Sequence, residues 1–299
     1  MKFFLGVDGG ATATRAIVGD ETGRIVGEGK SGPSNSARDL TAVLREAANT
    51  AMHDEELEFE AACFGLSGGA ESKEPAVREA VRAKRYSITH DALIALVGAT
   101  GGEPGVVTIA GTGSIAFGRN SEGRTARAGG WGYAFGDEGG AFDIARQALR
   151  SALRFEEGWG AKTALAAALI EAGGARSADD LLHRFYADDF SRARVAGFAP
   201  LVDEVARSGD AVAIDIMNGA AQALATIAVA VRAQLFAAEE AVVVSYIGGA
   251  FHSAILLERF RMLIELNDSN RVVAPKYRPA EGALLEAYRI AEERVELRL

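Results

Sequence analysis

Short apolar runs dominate the start of the chain. FFLGV, TRAIVG and RIVGEG each read as a strand, and DETG turns the chain between the last two, so the protein opens as a hairpin meander. The same order returns from Val106 as VVTIAG, GTG, SIAFG, the turn NSEG and then RTARAG. Both turns end on Gly-Arg, at Gly23-Arg24 and Gly123-Arg124. Two copies of strand, Gly/Thr turn, strand and Gly-Arg turn predict an internal duplication in which each lobe begins with the same hairpin. The plainer alternative is that two unrelated hairpins look alike.

Beyond each meander the apolar spacing alternates between helix and strand periods. In the first half a helix is expected over Ala37–His53, a strand at EAACFGL, a helix over Pro75–Ala83, and a strand at YSIT running into HDALIALVGA. In the second half helices are expected over 141–153, 162–172, 178–186, 193–207 and 211–237. A buried strand AVVVSYIGG, a helix over Ser253–Glu265, the strand RVVA and a terminal helix GALLEAYRIAEERV follow. This is an α/β chain of two lobes, 1–104 and 105–281, with a terminal helix in 282–299 returning to the first lobe and a hinge at GATGGEPG, Gly98–Gly105.

Composition narrows the class. With 299 residues, 48% of them hydrophobic, each lobe has enough apolar surface to bury a core. A net charge of −9 has the wrong sign for tracking phosphates along nucleic acid and favours a small-molecule partner. The start, MKFFLGVDGGAT, breaks into Asp8 and two glycines too early for a signal peptide or a membrane span, which predicts a cytoplasmic protein. The single cysteine, Cys63, cannot form an internal disulfide and fits a small buried residue of a strand.

Three glycine-bearing turns are candidate nucleotide contacts. DGGATAT presents Gly9, Gly10, Thr12 and Thr14, whose amides and hydroxyls suit an anion nest, and Asp8 at the strand end suits a water-mediated Mg²⁺. Gly111, Thr112 and Gly113 of GTGS repeat that chemistry in the second copy, so the two turns together suit a polyphosphate. Each turn is equally a tight hairpin in which glycine permits positive φ. Neither is a Walker A loop, since the lysine is missing, and no GxGxxG opens a helix. Gly248 and Gly249 of YIGGAF end a buried strand, where a nucleoside can approach bare backbone or the chain simply turns into a helix. Asp91 and Asp137 both precede helical patterns, as N-caps or as acids of an interlobe cleft.

The motifs together resemble the sugar kinase, Hsp70 and actin superfamily, and within it the N-acetylglucosamine kinases of the BadF/BadG-type ATPase family. The resemblance is carried by VDGGATATRA, SNS, LSGG, ITHDA, IAGTGS, RVAGF, YIGGAF, PAEGALLEA and, most specifically, GGWGYAFGDEGGAF, with six glycines in fourteen positions. It implies a duplicated ribonuclease H-like (actin-like ATPase) fold with the nucleotide in the interlobe cleft. It implies phosphate contacts from Thr12 and Thr112 and nucleoside contacts from Gly197 and Gly249. It implies sugar contacts from Asn35, Asp91, the Gly130-Trp131-Gly132 backbone and Asp137. Asp91 would be the catalytic base, ATP and Mg²⁺ the cofactors, an amino sugar the substrate, and a homodimer the assembly. The Trp131 ring reads equally as core. The same family includes ATPase activators of CoA-ester dehydratases and reductases, whose shared cluster takes two cysteines per subunit; Cys63 is half of that set. An actin-like binding module without catalysis is the third reading.

Overall fold

The computed structural model describes every residue except 11–12, 35–37, 53–56, 69–70, 188–189 and 299. The chain forms two compact units, Met1–Gly105 with Ala274–Leu299, and Val106–Val273. The first unit therefore takes in residues 274–281, which sequence pattern placed in the second lobe.

The first unit is built on strands β1 (Phe3–Gly9), β2 (Thr14–Asp20), β3 (Ile25–Ser31), β4 (Glu58–Leu66) and β5 (Arg82–Thr89), in the order β3-β2-β1-β4-β5. The meander pairs antiparallel, whereas β1/β4 and β4/β5 pair parallel. The second unit uses β6 (Gly105–Ala110), β7 (Ser114–Arg119), β8 (Thr125–Gly129), β9 (Val242–Ile247) and β10 (Asn270–Val273), ordered β10-β9-β6-β7-β8. Read from the other edge, that is the same sheet.

The duplication extends to single hydrogen bonds in the hairpin turns. The Asp20 N–H donates to Arg24 O and Asp20 Oδ1 accepts from the amides of Thr22 and Arg24. The Asn120 N–H donates to Arg124 O and Asn120 Oδ1 accepts from Glu122 and Arg124. Gly23 and Gly123 take φ of 81° and 80°, left-handed values that explain glycine before each arginine.

Two helices, α1 (Leu40–Met52) and α2 (Glu74–Ala80), cover one face of the first sheet, while α3 (Asp91–Thr100) and α11 (Pro279–Ile290) cover the other. Gly98, expected in a hinge, is instead inside α3: a Cβ there would stand 2.5 Å from Arg278 O, and one on Gly282 2.0 Å from Ile94 O. These glycines let α3 and α11 cross in contact. Beyond Ile290 the chain leaves the helix, and Arg298 bridges to Arg24 on the sheet's edge.

Helices α4 (Ala141–Glu156), α5 (Leu165–Ala172), α6 (Ala178–Phe185), α7 (Arg192–Ala196), α8 (Ala199–Arg207), α9 (Ala211–Leu235) and α10 (Ala254–Ile264) belong to the second unit. The helix expected over 193–207 is two helices broken at Gly197-Phe198. Among the described residues α9 alone is long and apolar enough to cross a membrane, and it is the core helix of its unit. Its buried Arg232 donates to Asn270 Oδ1 and to the carbonyls of Ala238 and Glu240.

Candidate active site

In the first unit, the C-terminal end of β1 delivers Asp8 beside the start of α3. Burial pushes the Asp8 carboxyl up to about 6; the Asp91 charge adds to the rise, Arg15 opposes it, and Glu281 contributes least. A carboxylate destabilised in this way suits a cation. Among the described residues no cluster of three or more metal-ligating side chains exists, so a cation held at Asp8 would need further ligands from outside the protein.

Asp91 is exposed and is the first residue of α3, not its N-cap. The cap is His90, whose Nδ1 accepts from the Leu93 amide at 3.3 Å. The capping alternative for Asp91 is thus set aside by a one-residue offset, and no hydrogen bond or ion pair to a described residue engages its carboxylate.

The DGGATAT turn is more structural than its glycines implied. Gly9 is a buried strand residue, and a Cβ there would meet Leu66 Cδ2 and Ser34 Oγ at 2.5 Å. The Gly10 amide is used within the turn, donating to Ala13 O at 3.2 Å. Thr14, expected at phosphate, is fully buried and its hydroxyl donates to Gly32 O at 2.9 Å, so no ligand reaches it. Its counterpart one repeat later, Ser114, donates to Glu138 O at 2.6 Å. Thr12 and Asn35 lie outside the described residues. Sequence reasoning missed Ser34, whose buried hydroxyl has no hydrogen-bond partner among the described residues; its place in SNS beside Asn35 was the available signal.

In the second unit the GTGS turn is open. Thr112 is exposed, and a Cβ on Gly111 would meet nothing within 4 Å. The start of α4 holds the turn from below, with the Ala141 and Phe142 amides donating to Gly111 O and Thr112 O at 2.8 and 3.0 Å. Gly248, at φ 114°, lies so near Ala110 that a Cβ would be 2.3 Å from its carbonyl oxygen; it serves close approach of β9 to β6.

Gly129, Gly130 and Gly132 take φ of 76°, 71° and 81°, so the glycine-rich stretch after β8 is a series of left-handed turns. Trp131 between them is 66% exposed, which overturns the core reading of its ring. Asp137 is not the N-cap of α4 either: Gly140 occupies that position. Asp137 adopts φ 64°, a rare backbone state for a side chain with a Cβ, and its carboxylate packs over Gly113, where a Cβ would lie 2.3 Å from Oδ2. Buried Asp143 accepts from the Gly139 amide at 3.1 Å and pairs with Arg146 at 2.7 Å, fixing the loop's far end.

Gly197 and Gly249 line one cavity of about 440 Å³, with Ala196, Pro200, Ala250 and Met217 among its apolar walls. A Cβ on Gly249 would meet nothing within 4 Å, so its bare backbone faces open space. The cavity's carboxylate, Asp203, accepts from the Ser253 hydroxyl and from Arg207 Nε at 3.0 Å. The sequence held no motif for it beyond the i, i+4 spacing of Asp203 and Arg207.

The family model described as the BadF/BadG/BcrA/BcrD ATPase family matches residues 5–287. An N-acetylmuramic acid/N-acetylglucosamine kinase of Clostridium acetobutylicum is 30% identical over 301 residues, covering 96% of this chain and 98% of the relative. An N-acetyl-D-glucosamine kinase of Dictyostelium discoideum is 32% identical over 245 residues, covering 75% and 77%. Among solved structures, a Chromobacterium violaceum protein provisionally described as an N-acetylglucosamine kinase superposes with a TM-score of 0.76 at 26% identity, covering 95% of this chain and 98% of that one.

Proposed function

The chain belongs to the BadF/BadG/BcrA/BcrD ATPase family, and on that premise we propose that it is an ATP-dependent kinase phosphorylating the C6 hydroxyl of N-acetylglucosamine or a related amino sugar. The observation that carries the reading is Asp91, an exposed carboxylate on the first turn of α3 that His90 relieves of capping. A general base needs such an acid, held on a rigid element and not committed to a structural bond.

In this mechanism the nucleoside occupies the cavity at Gly197 and Gly249, and the phosphates lie against the Gly111–Gly113 turn, with Thr112 donating to them. The sugar is held by the Gly130–Gly132 backbone, Asn35 and Asp137. Asp91 takes the C6 hydroxyl proton while that oxygen bonds to the γ-phosphorus and the bond to the β,γ-bridging oxygen breaks, releasing ADP. Asp8 is the residue that would hold a Mg²⁺, which would supply charge neutralisation to the phosphates. Positioning accounts for most of the remaining acceleration.

Cys63 supports the kinase over the cluster-bearing activators of the same family. It is buried in β4, and burial above all pushes its thiol up to about 12, the opposite of a ligating thiolate. Use of ATP fits a cytoplasmic enzyme, and the resemblance favours a homodimer; sedimentation of the purified protein reads the latter. A coupled ADP-release assay over a panel of amino sugars tests the proposal, with sugar-stimulated release expected for N-acetylglucosamine and release independent of sugar contradicting it.

A further inference from the structure

The cavity at Gly197 and Gly249 is walled mainly by apolar side chains and bare backbone, a lining that suits the flat faces of a base but cannot tell one base from another. That distinction needs hydrogen-bonding groups at the base's edge. Among the described residues lining the cavity, Asp203 is the one carboxylate, and Arg207, His252 and Ser253 are the other polar side chains.

Ser253 has no proton to spare. Its oxygen accepts from the Leu256 amide at 3.2 Å as the N-cap of α10, and its hydroxyl donates to Asp203 Oδ1. Asp203 stands on α8 with its side chain only 15% exposed, and its Oδ2 accepts from Arg207 Nε at 3.0 Å, one turn further on. Each carboxylate oxygen therefore takes one bond, the two donors come from different elements, and together they hold the group in one orientation. A carboxylate offers about four acceptor positions, so about two remain for a ligand. His252 and Arg207 are exposed, whereas the acceptors of Asp203 are in place before a nucleotide arrives.

We infer that Asp203 is a specificity residue that accepts the exocyclic amino group of the nucleotide's base, selecting a 6-amino purine over a 6-oxo purine. The inference rests on the kinase reading, in which this cavity holds the nucleoside. Adenine carries an amino donor at C6, whereas hypoxanthine and guanine carry a carbonyl oxygen there. Set against that oxygen, the carboxylate loses its donor and meets a second acceptor. A site built around such a hydrogen bond rejects the analogue lacking it more strongly than apolar contact alone can.

The test compares three phosphoryl donors with N-acetylglucosamine by following sugar phosphate: ATP; ITP, with oxygen at C6; and purine riboside triphosphate, with hydrogen there. ATP is expected to exceed each of the others in kcat/KM by at least about tenfold, with the same order in calorimetric binding of the diphosphates. Asp203→Asn supplies a side-chain amide that can donate to O6, so the preference for ATP over ITP should fall by at least about tenfold. Its Tm should stay within a few degrees of the parent, since asparagine still accepts from Ser253 and an ion pair to an exposed arginine contributes little. Equal use of ATP and ITP by the parent protein, or a preference that survives in Asp203→Asn, overturns the inference and leaves the kinase reading in place. Absence of sugar phosphate with all three donors overturns both.

Discussion

A methyl group on Gly113 should disable sugar recognition without unfolding the protein. Gly113 does not occupy a left-handed backbone state, so alanine introduces no conformational strain of its own. Its Cβ would nevertheless stand 2.3 Å from Asp137 Oδ2 and 2.5 Å from Cγ, where ordinary contact begins at 3.4 Å. The carboxylate must therefore retreat by roughly 1 Å, and rotating a short side chain off its preferred angle costs about 0.5–1.5 kcal/mol. A catalytic or positioning group displaced by about 1 Å costs on the order of a hundredfold in rate. Gly113→Ala is thus expected to lower kcat/KM for the sugar about a hundredfold while Tm falls by a few degrees at most. Gly111→Ala is the companion, since its Cβ meets no protein atom within 4 Å; it should spare the sugar KM and raise that for ATP, by crowding phosphate alone. Initial rates with each substrate varied separately read the split. If Gly113→Ala keeps sugar kcat/KM within about twofold of the parent, Asp137 does not hold the sugar and the role assigned to the glycine-rich loop is wrong.

Other expectations concern charge, packing and the nucleoside. Asp8 is an acid whose folded pKa, about 6, exceeds its ordinary value of 3.8, so the folded protein loses stability as pH rises between those values, by at most about 3 kcal/mol. Asp8→Asn should therefore melt higher than the parent above pH 6, with the gap closing towards pH 4 and kinase activity reduced; a pH-independent gap in calorimetry refutes the assignment. Gly249→Val should leave Tm unchanged but raise the KM for ATP at least about tenfold by filling the cavity beside Gly197; unaltered ADP binding by calorimetry refutes the placement of the nucleoside. Gly282→Ala places a Cβ 2.0 Å from Ile94 O and should cost about 1–3 kcal/mol in denaturant unfolding by forcing α11 off α3; a neutral result removes the packing role of that glycine.

The sheets and their duplication were legible in the sequence because alternation, turn chemistry and Gly-Arg spacing are local. The matching bonds of Asp20 and Asn120 are the physical reason the pattern repeats. Periodicity did not show the break between α7 and α8, since buried Val195, Ala196, Phe198, Ala199 and Val202 carry the apolar stripe across it. Cap identities were not legible at either acid. His90 rather than Asp91 caps α3, and a left-handed Asp137 leaves the cap of α4 to Gly140, differences of one and three residues that residue type cannot resolve. Thr14 and Thr112 look alike in sequence and part company in the fold: the first begins β2 and points into the core, the second lies exposed before β7. The cavity acid Asp203 was invisible because its partner Ser253 is distant in sequence.

Whether Asp91 is the base is decided by Asp91→Asn with saturating N-acetylglucosamine and MgATP. His90 carries the cap, so the substitution removes a charge from an exposed first-turn position, worth about 0.3–1 kcal/mol of helix stabilisation, and leaves the fold in place. Losing a general base lowers rate by about a hundred- to ten-thousand-fold. Tm should stay within a few degrees of the parent and ADP affinity should not change, while kcat falls at least about a hundredfold. A variant that retains most of its turnover would show that Asp91 is not the base and that proton transfer to this carboxylate is no part of the mechanism.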